Sequence, residues 1–263
     1  MKLLIINRKT IKNFLYIFFI ILLLSTIAFI YLDNNSSNAN PSEKYLSEEK
    51  IDIIKNIYEN NEKIAYLTFD DGPSKVVTPK ILDILKENNV KANFFVVGKH
   101  VEEYPELVRH AYEDGHFIAN HGYSHNNSKL YKSKQDFINE ILKTDNIVAK
   151  AIGKDSYCSH IFRFPNGSMS KINYSDKQKA IKYLEEIDYT YVDWNALNND
   201  SMKKYSNLEL LDNLKKSVKN KGTLVILMHD TGDVNKTYDV LEESINFLKS
   251  EGYEFKTFYD LLE

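Results

Sequence analysis

Ile64-Ala65-Tyr66-Leu67-Thr68-Phe69-Asp70-Asp71-Gly72-Pro73 sets a short apolar run directly against two adjacent carboxylates and a Gly-Pro turn. A run of this length, bounded by turn residues, predicts a buried strand. Helical periodicity follows over Thr78–Glu87, and the same alternation repeats to the end of the chain. The other apolar runs are Ala92–Val97, His116–Ala119, Ile161–Phe164, Thr190–Asp193, Leu224–Met228 and Tyr253–Lys256. Between them, helices are predicted over Tyr104–Glu113, Lys134–Ala151, Asp176–Glu186, Asn207–Lys219 and Tyr238–Ser250. Strand and helix in alternation mean βα units on a parallel sheet. The expected fold is α/β, a distorted (β/α) barrel of about seven or eight parallel strands. An open, doubly wound sheet is the other arrangement that the alternation allows. Gly115 and Gly252 fall just after helical segments, where a left-handed cap suits glycine.

Outward from this core, the N-terminus carries Lys2, Arg8, Lys9 and Lys12, and then no charge from Asn13 to Leu32. As a helix that stretch is about 30 Å long, the thickness of a bilayer's hydrocarbon core. Positive charge before it predicts a basic cytoplasmic tail over 1–12, an uncleaved transmembrane signal anchor over 13–32 and an external C-terminal part. A cleaved signal peptide is the competing expectation. Asp33 to Ser47 is polar and reads as a spacer, and Glu48–Glu59 has the apolar spacing of a short helix, so 33–61 is expected to be an extracellular linker. The remaining 62–261 are enough for one domain with its own core. A net charge of −3 and the absence of a basic run after the first dozen residues argue against nucleic-acid binding. Cys158 is the only cysteine, so no intramolecular disulfide forms; its proximity to His160 is read as incidental rather than as a metal pair.

The polar residues are informative by position. The first run ends in Asp70-Asp71, the third in Asn120-His121-Gly122-Tyr123-Ser124-His125, the fourth in Arg163-Phe164-Pro165-Asn166-Gly167, the fifth in Asp193-Trp194 and the sixth in His229-Asp230. In a β/α barrel all these strand ends meet on one face, where active sites are built. Two adjacent carboxylates at a buried strand end repel each other, and a cation beside them relieves that cost. His121 and His125, four apart, are able to face one centre. Two histidines with one carboxylate form a ligand set that leaves positions open for water. Arg163 lies between Phe162 and Phe164, a setting that suggests burial and calls for a carboxylate partner. His100, His110, His116 and His160 lack comparable settings and are read as structural.

The order TFDDGP, N-H-x-Y-S-H, R-x-P-x-G and L-M-H-D over about residues 62 to 261 resembles the polysaccharide deacetylases with a NodB-homology domain, carbohydrate esterase family 4. The distorted barrel of that family agrees with the alternation above. The resemblance implies that Asp71, His121 and His125 hold a divalent metal. Zinc is the expected ion, with manganese, cobalt or nickel as alternatives. It implies Asp70 as general base, Arg163 as the residue that holds Asp70, His229 as general acid, and Leu227 in the pocket for the acetyl methyl. Asp200 is the expected partner of His229 and Asp193 the competing one, because the D-W-N text at Asp193 stands several residues before Asp200. Asn166 is expected to bind substrate through its backbone N–H, and Trp194 is expected among the substrate-binding residues. The sequence departs from the family pattern at Gly122, where Ser or Thr is usual, and at Asn166, where an aromatic is common.

The expected activity is metal-dependent removal of acetyl groups from a cell-wall glycan, first of all peptidoglycan N-acetylglucosamine. N-acetylmuramic acid, chitooligosaccharides, an exopolysaccharide and xylan are alternative substrates, and a non-catalytic wall-binding protein on the same fold is the alternative class. A serine esterase is not expected, since no G-x-S-x-G occurs.

Overall fold

The structure is a computed structural model that describes residues 45–202, 205–231 and 237–262. The expected membrane segment 13–32 lies outside these residues. Among the described residues no helix is long and apolar enough to cross a membrane.

Among the described residues eight parallel strands form one sheet: β1 (Ile64–Asp70), β2 (Asn93–Val96), β3 (Phe117–Asn120), β4 (Ile161–Phe162), β5 (Thr190–Tyr191), β6 (Ala196–Leu197), β7 (Leu224–His229) and β8 (Glu254–Phe255). Their spatial order is β5-β4-β3-β2-β1-β7-β6, and β8 pairs with the start of β1. The first strand is therefore the centre. It pairs with β7 from Ala65 to Asp70, with β8 at Ile64 and Ala65, and with β2 at Thr68 to Asp70. All seven of its residues are buried, as a strand covered on both faces requires.

The helices, in chain order, are α1 (Glu48–Lys55), α2 (Val77–Glu87), α3 (Gly98–Glu103), α4 (Pro105–Glu113), α5 (Asn127–Leu130), α6 (Lys134–Ala151), α7 (Tyr174–Glu186), α8 (Asn207–Val218), α9 (Thr237–Ser250) and α10 (Tyr259–Leu262). The period of two along each strand sorts the core. Ala65, Leu67 and Phe69 of β1, with Leu224, Ile226 and Met228 of β7, point outward into a cluster with α2, α4, α6, α8 and α9. Phe162 and Phe164 point the same way, against Ala180 and Leu184 of α7. Tyr66, Phe95, Phe117, Ile161 and Val225 point inward, where they meet Ile54, Ile57, Phe258 and Leu262. The crossover helices thus lie on one face, which selects the barrel type of arrangement over the doubly wound one. The barrel is incomplete: β5 and β6 end the sheet and do not pair with each other among the described residues.

Several boundaries differ from expectation. The strands at Ile161 and Thr190 stop at Phe162 and Tyr191, because their partners offer a ladder of only one or two residues. Strand β6 was not expected; its two residues pair with Ile226 and Leu227, and no apolar run surrounds them. The short helices α3, α5 and α10 were also not expected, being four to six residues long and too short for a visible period. Gly115 and Gly252 do take left-handed φ values of 82° and 85° after α4 and α9.

Phe258 closes the inner core. Its ring is stacked on Tyr66 at 5.3 Å and edge-on to Phe117 at 5.7 Å and Phe95 at 5.9 Å, and its N–H donates to Asn93 Oδ1 at 2.8 Å. Phe258→Ala is expected to cost about 3–5 kcal/mol in urea unfolding, and Phe258→Leu clearly less. An unfolding midpoint unchanged by the Ala variant would contradict this role.

Candidate active site

The inward parity that builds the core also delivers the site. Thr68 and Asp70 continue the series begun by Tyr66. Leu227 and His229 continue that of Val225, and the register pairs Thr68 with Leu227 and Asp70 with His229. On the other side of the sheet Asn120 pairs with Phe162, which sets His121 beside Arg163. Arg163 has no solvent exposure at all. Its Nη1 donates to Asp70 Oδ1 at 2.8 Å and to Thr68 Oγ1 at 2.6 Å, Nε donates to the Val192 carbonyl and Nη2 to the Asp193 carbonyl, both at 2.9 Å. The guanidinium also lies over the Phe95 ring at 3.9 Å. A buried cation held by four hydrogen bonds locks the one carboxylate oxygen that it touches. The other, Asp70 Oδ2, lies 3.9 Å from His121 Nε2.

Asp71 departs from the strand, with a left-handed φ of 74°. Asparagine and aspartate tolerate this region better than other residues with a side chain, and here it turns the Asp71 carboxylate toward the histidines. Asp71 Oδ1 lies 3.4 Å from His121 Nε2 and 3.1 Å from His125 Nε2, and one ligand atom from each of the three residues falls within 4.8 Å of the others. His121 Nδ1 is 2.8 Å from the Arg163 carbonyl, which only accepts, so this nitrogen carries the proton. In the neutral imidazole the lone pair of Nε2 then faces a carboxylate. Asp71 Oδ1 is itself buried without a hydrogen-bond partner. In that neutral form the His121 lone pair and the orphaned carboxylate oxygen repel unless a proton or a metal cation stands between them, and His125 Nε2 lies 3.1 Å from the same oxygen. The donor set therefore fits a divalent metal, and its Asp/His/His chemistry suits zinc among others.

His229 Nδ1 lies 2.7 Å from Asp200 Oδ1. Asp200 Oδ2 accepts the backbone N–H of His229 at 2.9 Å and the Thr237 hydroxyl at 2.6 Å. Asp193 lies elsewhere: its carboxylate accepts from the Ser168 N–H and hydroxyl. Burial works against charge on His229, but the hydrogen bond and charge of Asp200, reinforced by Asp70 and Asp71, raise the imidazole to about 9. For Asp71 the balance falls the other way. Burial raises its carboxyl, but close approach of His121 and the charges of His125 and His229 hold it well below the usual carboxylate range.

Asp70, Asp71, His121, His125 and His229 line one cleft of about 400 Å³ with Asn166, Leu227 and Trp194 on its walls. Leu227 is the buried apolar patch beside His229. Asn166 stands at a left-handed φ of 65° in the turn before Gly167, and the Trp194 ring packs so closely on Gly167 that an added Cβ would meet it at 2.9 Å. Leu197, Ser201 and Met202 also line the cleft and were not singled out from the sequence; they flank Asp200, and only that proximity pointed to them. Nor was His100, whose Nδ1 lies 2.7 Å from the Asp71 carbonyl and so ties down the left-handed turn. His116 is structural as read: Nδ1 accepts from the Ala92 N–H, and burial pushes the imidazole down to about 4.

The profile of the polysaccharide deacetylase family matches residues 58–192. A peptidoglycan-N-acetylglucosamine deacetylase of Bacillus cereus is 34% identical over 206 residues, spanning 75% of this chain and 70% of that one. A peptidoglycan-N-acetylmuramic acid deacetylase of Bacillus subtilis is 31% identical over 201 residues, spanning 76% and 72%. The structure of a Streptococcus mutans CE4 esterase superposes with a TM-score of 0.71 at 28% identity, covering 79% of this chain and 90% of that one. The chain belongs to the polysaccharide deacetylase family and is, with it, a hydrolase of amide carbon–nitrogen bonds.

Proposed function

We propose that the chain removes the acetyl group from N-acetylglucosamine of peptidoglycan, with Asp71, His121 and His125 holding a zinc ion. The observation that carries this reading is the convergence of Asp71 Oδ1 with two imidazole Nε2 atoms, while Asp70 Oδ2 stands beside them unligated. A zinc ion held there would supply Lewis acidity toward the acetamide carbonyl and would lower the pKa of a water. Asp70, its other oxygen pinned by Arg163, takes a proton from the attacking water. The N–H of Asn166 at the cleft lip donates to the oxyanion that forms. Leu227 packs on the acetyl methyl, and Trp194 forms the sugar-facing wall. As the carbon–nitrogen bond breaks, His229 gives its Nε2 proton to the departing amine, which would otherwise leave as a poor anion. Asp200 keeps His229 protonated and oriented for that step. The products are acetate and a free amino sugar.

The choice of N-acetylglucosamine is supported by the name of the Bacillus cereus relative, and N-acetylmuramic acid by that of the Bacillus subtilis one. Mass spectrometry of muropeptides before and after treatment with residues 45–263 decides between them. Loss of an acetyl group from the glucosamine fragment supports the proposal; loss from the muramic fragment alone, or no loss, contradicts it. The basic tail and the charge-free stretch 13–32 support a placement outside the cell on a membrane anchor. Protease added to intact cells then digests the domain, and protection would refute that placement.

Asp70→Asn is expected to lower kcat by about 10²–10⁴-fold while the protein still binds zinc. A chelator is expected to abolish turnover in the parent protein and added zinc to restore it. Full activity in the Asn variant would remove Asp70 from the role of base.

The pH profile tests the acid. With its imidazole raised to about 9, His229 is protonated at neutrality, and activity falls as the pH rises through that value. Asp200→Asn removes the main raising interaction and leaves burial, which acts downward. The alkaline limb is expected to move to lower pH by about one unit or more. A limb that stays in place would show that the pair does not set it.

A further inference from the structure

The loop His121-Gly122-Tyr123-Ser124-His125 carries two of the three proposed ligands, yet it belongs to neither helix nor strand. It contains two left-handed residues, Gly122 at φ 81° and His125 at φ 49°. The imidazole centroids are 5.0 Å apart, and nothing within such a loop fixes that separation. Its neighbours do. The N–H groups of Gly98 and Lys99, at the start of α3, donate to the Gly122 and Tyr123 carbonyls at 2.9 Å each.

Two of the loop's own donors are taken directly by α6. The N–H groups of Tyr123 and Ser124 converge on a single oxygen, Glu140 Oε2, at 3.0 and 2.7 Å. Successive N–H groups turned toward one anion form a concavity that elsewhere binds a free anion. Here the chain fills it with one oxygen of its own, held at hydrogen-bond distance from both N–H groups. An added Cβ on Gly122 would sit 3.7 Å from the same oxygen, so the left-handed glycine also faces Glu140. Five residues along the helix, Asp145 Oδ1 accepts from Asn120 Nδ2 at 3.0 Å, and Asn120 Oδ1 accepts from the Gly122 N–H at 2.9 Å. One helix thus governs three consecutive loop N–H groups, at 122, 123 and 124.

We infer that Glu140 is a positioning residue for the metal centre, setting through the Tyr123 and Ser124 N–H groups the angle at which His125 meets His121 and Asp71. This rests on the reading of those three residues as ligands. What Glu140 contributes is an oxygen at the right reach rather than its charge. Glutamine keeps that oxygen and loses the charge; aspartate keeps the charge and withdraws the oxygen by one methylene.

The test is zinc affinity of the full chain, purified in detergent, stripped and titrated against a chromophoric chelator. Glu140→Gln is expected to bind zinc much as the parent does. Glu140→Asp and Glu140→Ala are expected to bind about 10–100-fold more weakly. The cobalt-substituted Asp and Ala variants should also show an altered visible absorption spectrum. The reverse order, with Asp near the parent and Gln impaired, or equal affinity in all four proteins, overturns the inference. If the Ala variant does not fold, the Gln and Asp pair still decides. A parent chain that binds no zinc defeats the metal reading itself, an outcome distinct from tight parental binding with the wrong order among variants.

Discussion

Neighbouring side chains on a strand point to opposite faces of the sheet, and the site depends on breaking that rule once. Asp70 obeys it and points inward. Asp71 follows with a left-handed φ of 74°, and its carboxylate comes to within 3.4 Å of the same His121 nitrogen that Asp70 approaches to 3.9 Å. Without that turn the two carboxylates would address different faces. Such a conformation persists only where its surroundings over-determine it. Here the His100 ring holds the Asp71 carbonyl, and the Val97 N–H holds that of Gly72. Gly72 itself packs so tightly on Asp230 that an added Cβ would lie 2.3 Å from its carboxylate oxygen.

Two adjacent acids in one cleft are useful only if they differ, and the surroundings make them differ. Arg163, wholly buried, takes one oxygen of Asp70 and leaves the second facing the cleft. Asp71 instead turns one oxygen toward the imidazoles of His121 and His125. A third acid, Asp200, is given to His229 and to the Thr237 hydroxyl. Each carboxylate is thus committed to a different partner, and in the proposed reaction each does a different part of the work. The rigidity comes from the sheet: β1 and β7 share six consecutive register pairs, the last of them Asp70 with His229.

Much of this was legible in the sequence because it follows from periodicity. The run from Ile64 and the helix over Lys134–Ala151 are visible as patterns, and the structure keeps the second with the same ends. The clustering of polar residues at strand ends was visible for the same reason. What was not legible depends on close approach between distant segments. Strand β6 exists because Ala196 and Leu197 lie beside β7, with no pattern of their own. Spacing left Asp193 and Asp200 both open as partners of His229. Only the packing of the Asn198–Met202 segment over β7 puts Asp200 at 2.7 Å and leaves Asp193 with Ser168. Glu140 looks like any solvent-facing helix glutamate until the loop it braces is seen.

The proposed chemistry requires one cation among Asp71, His121 and His125. Anomalous diffraction from a zinc-soaked crystal, collected on both sides of the zinc absorption edge, tests it most directly. A single strong difference peak is expected within bonding distance of Asp71 Oδ1 and of both Nε2 atoms. Zinc bound only elsewhere, or a peak that leaves either imidazole without a bond, would contradict it.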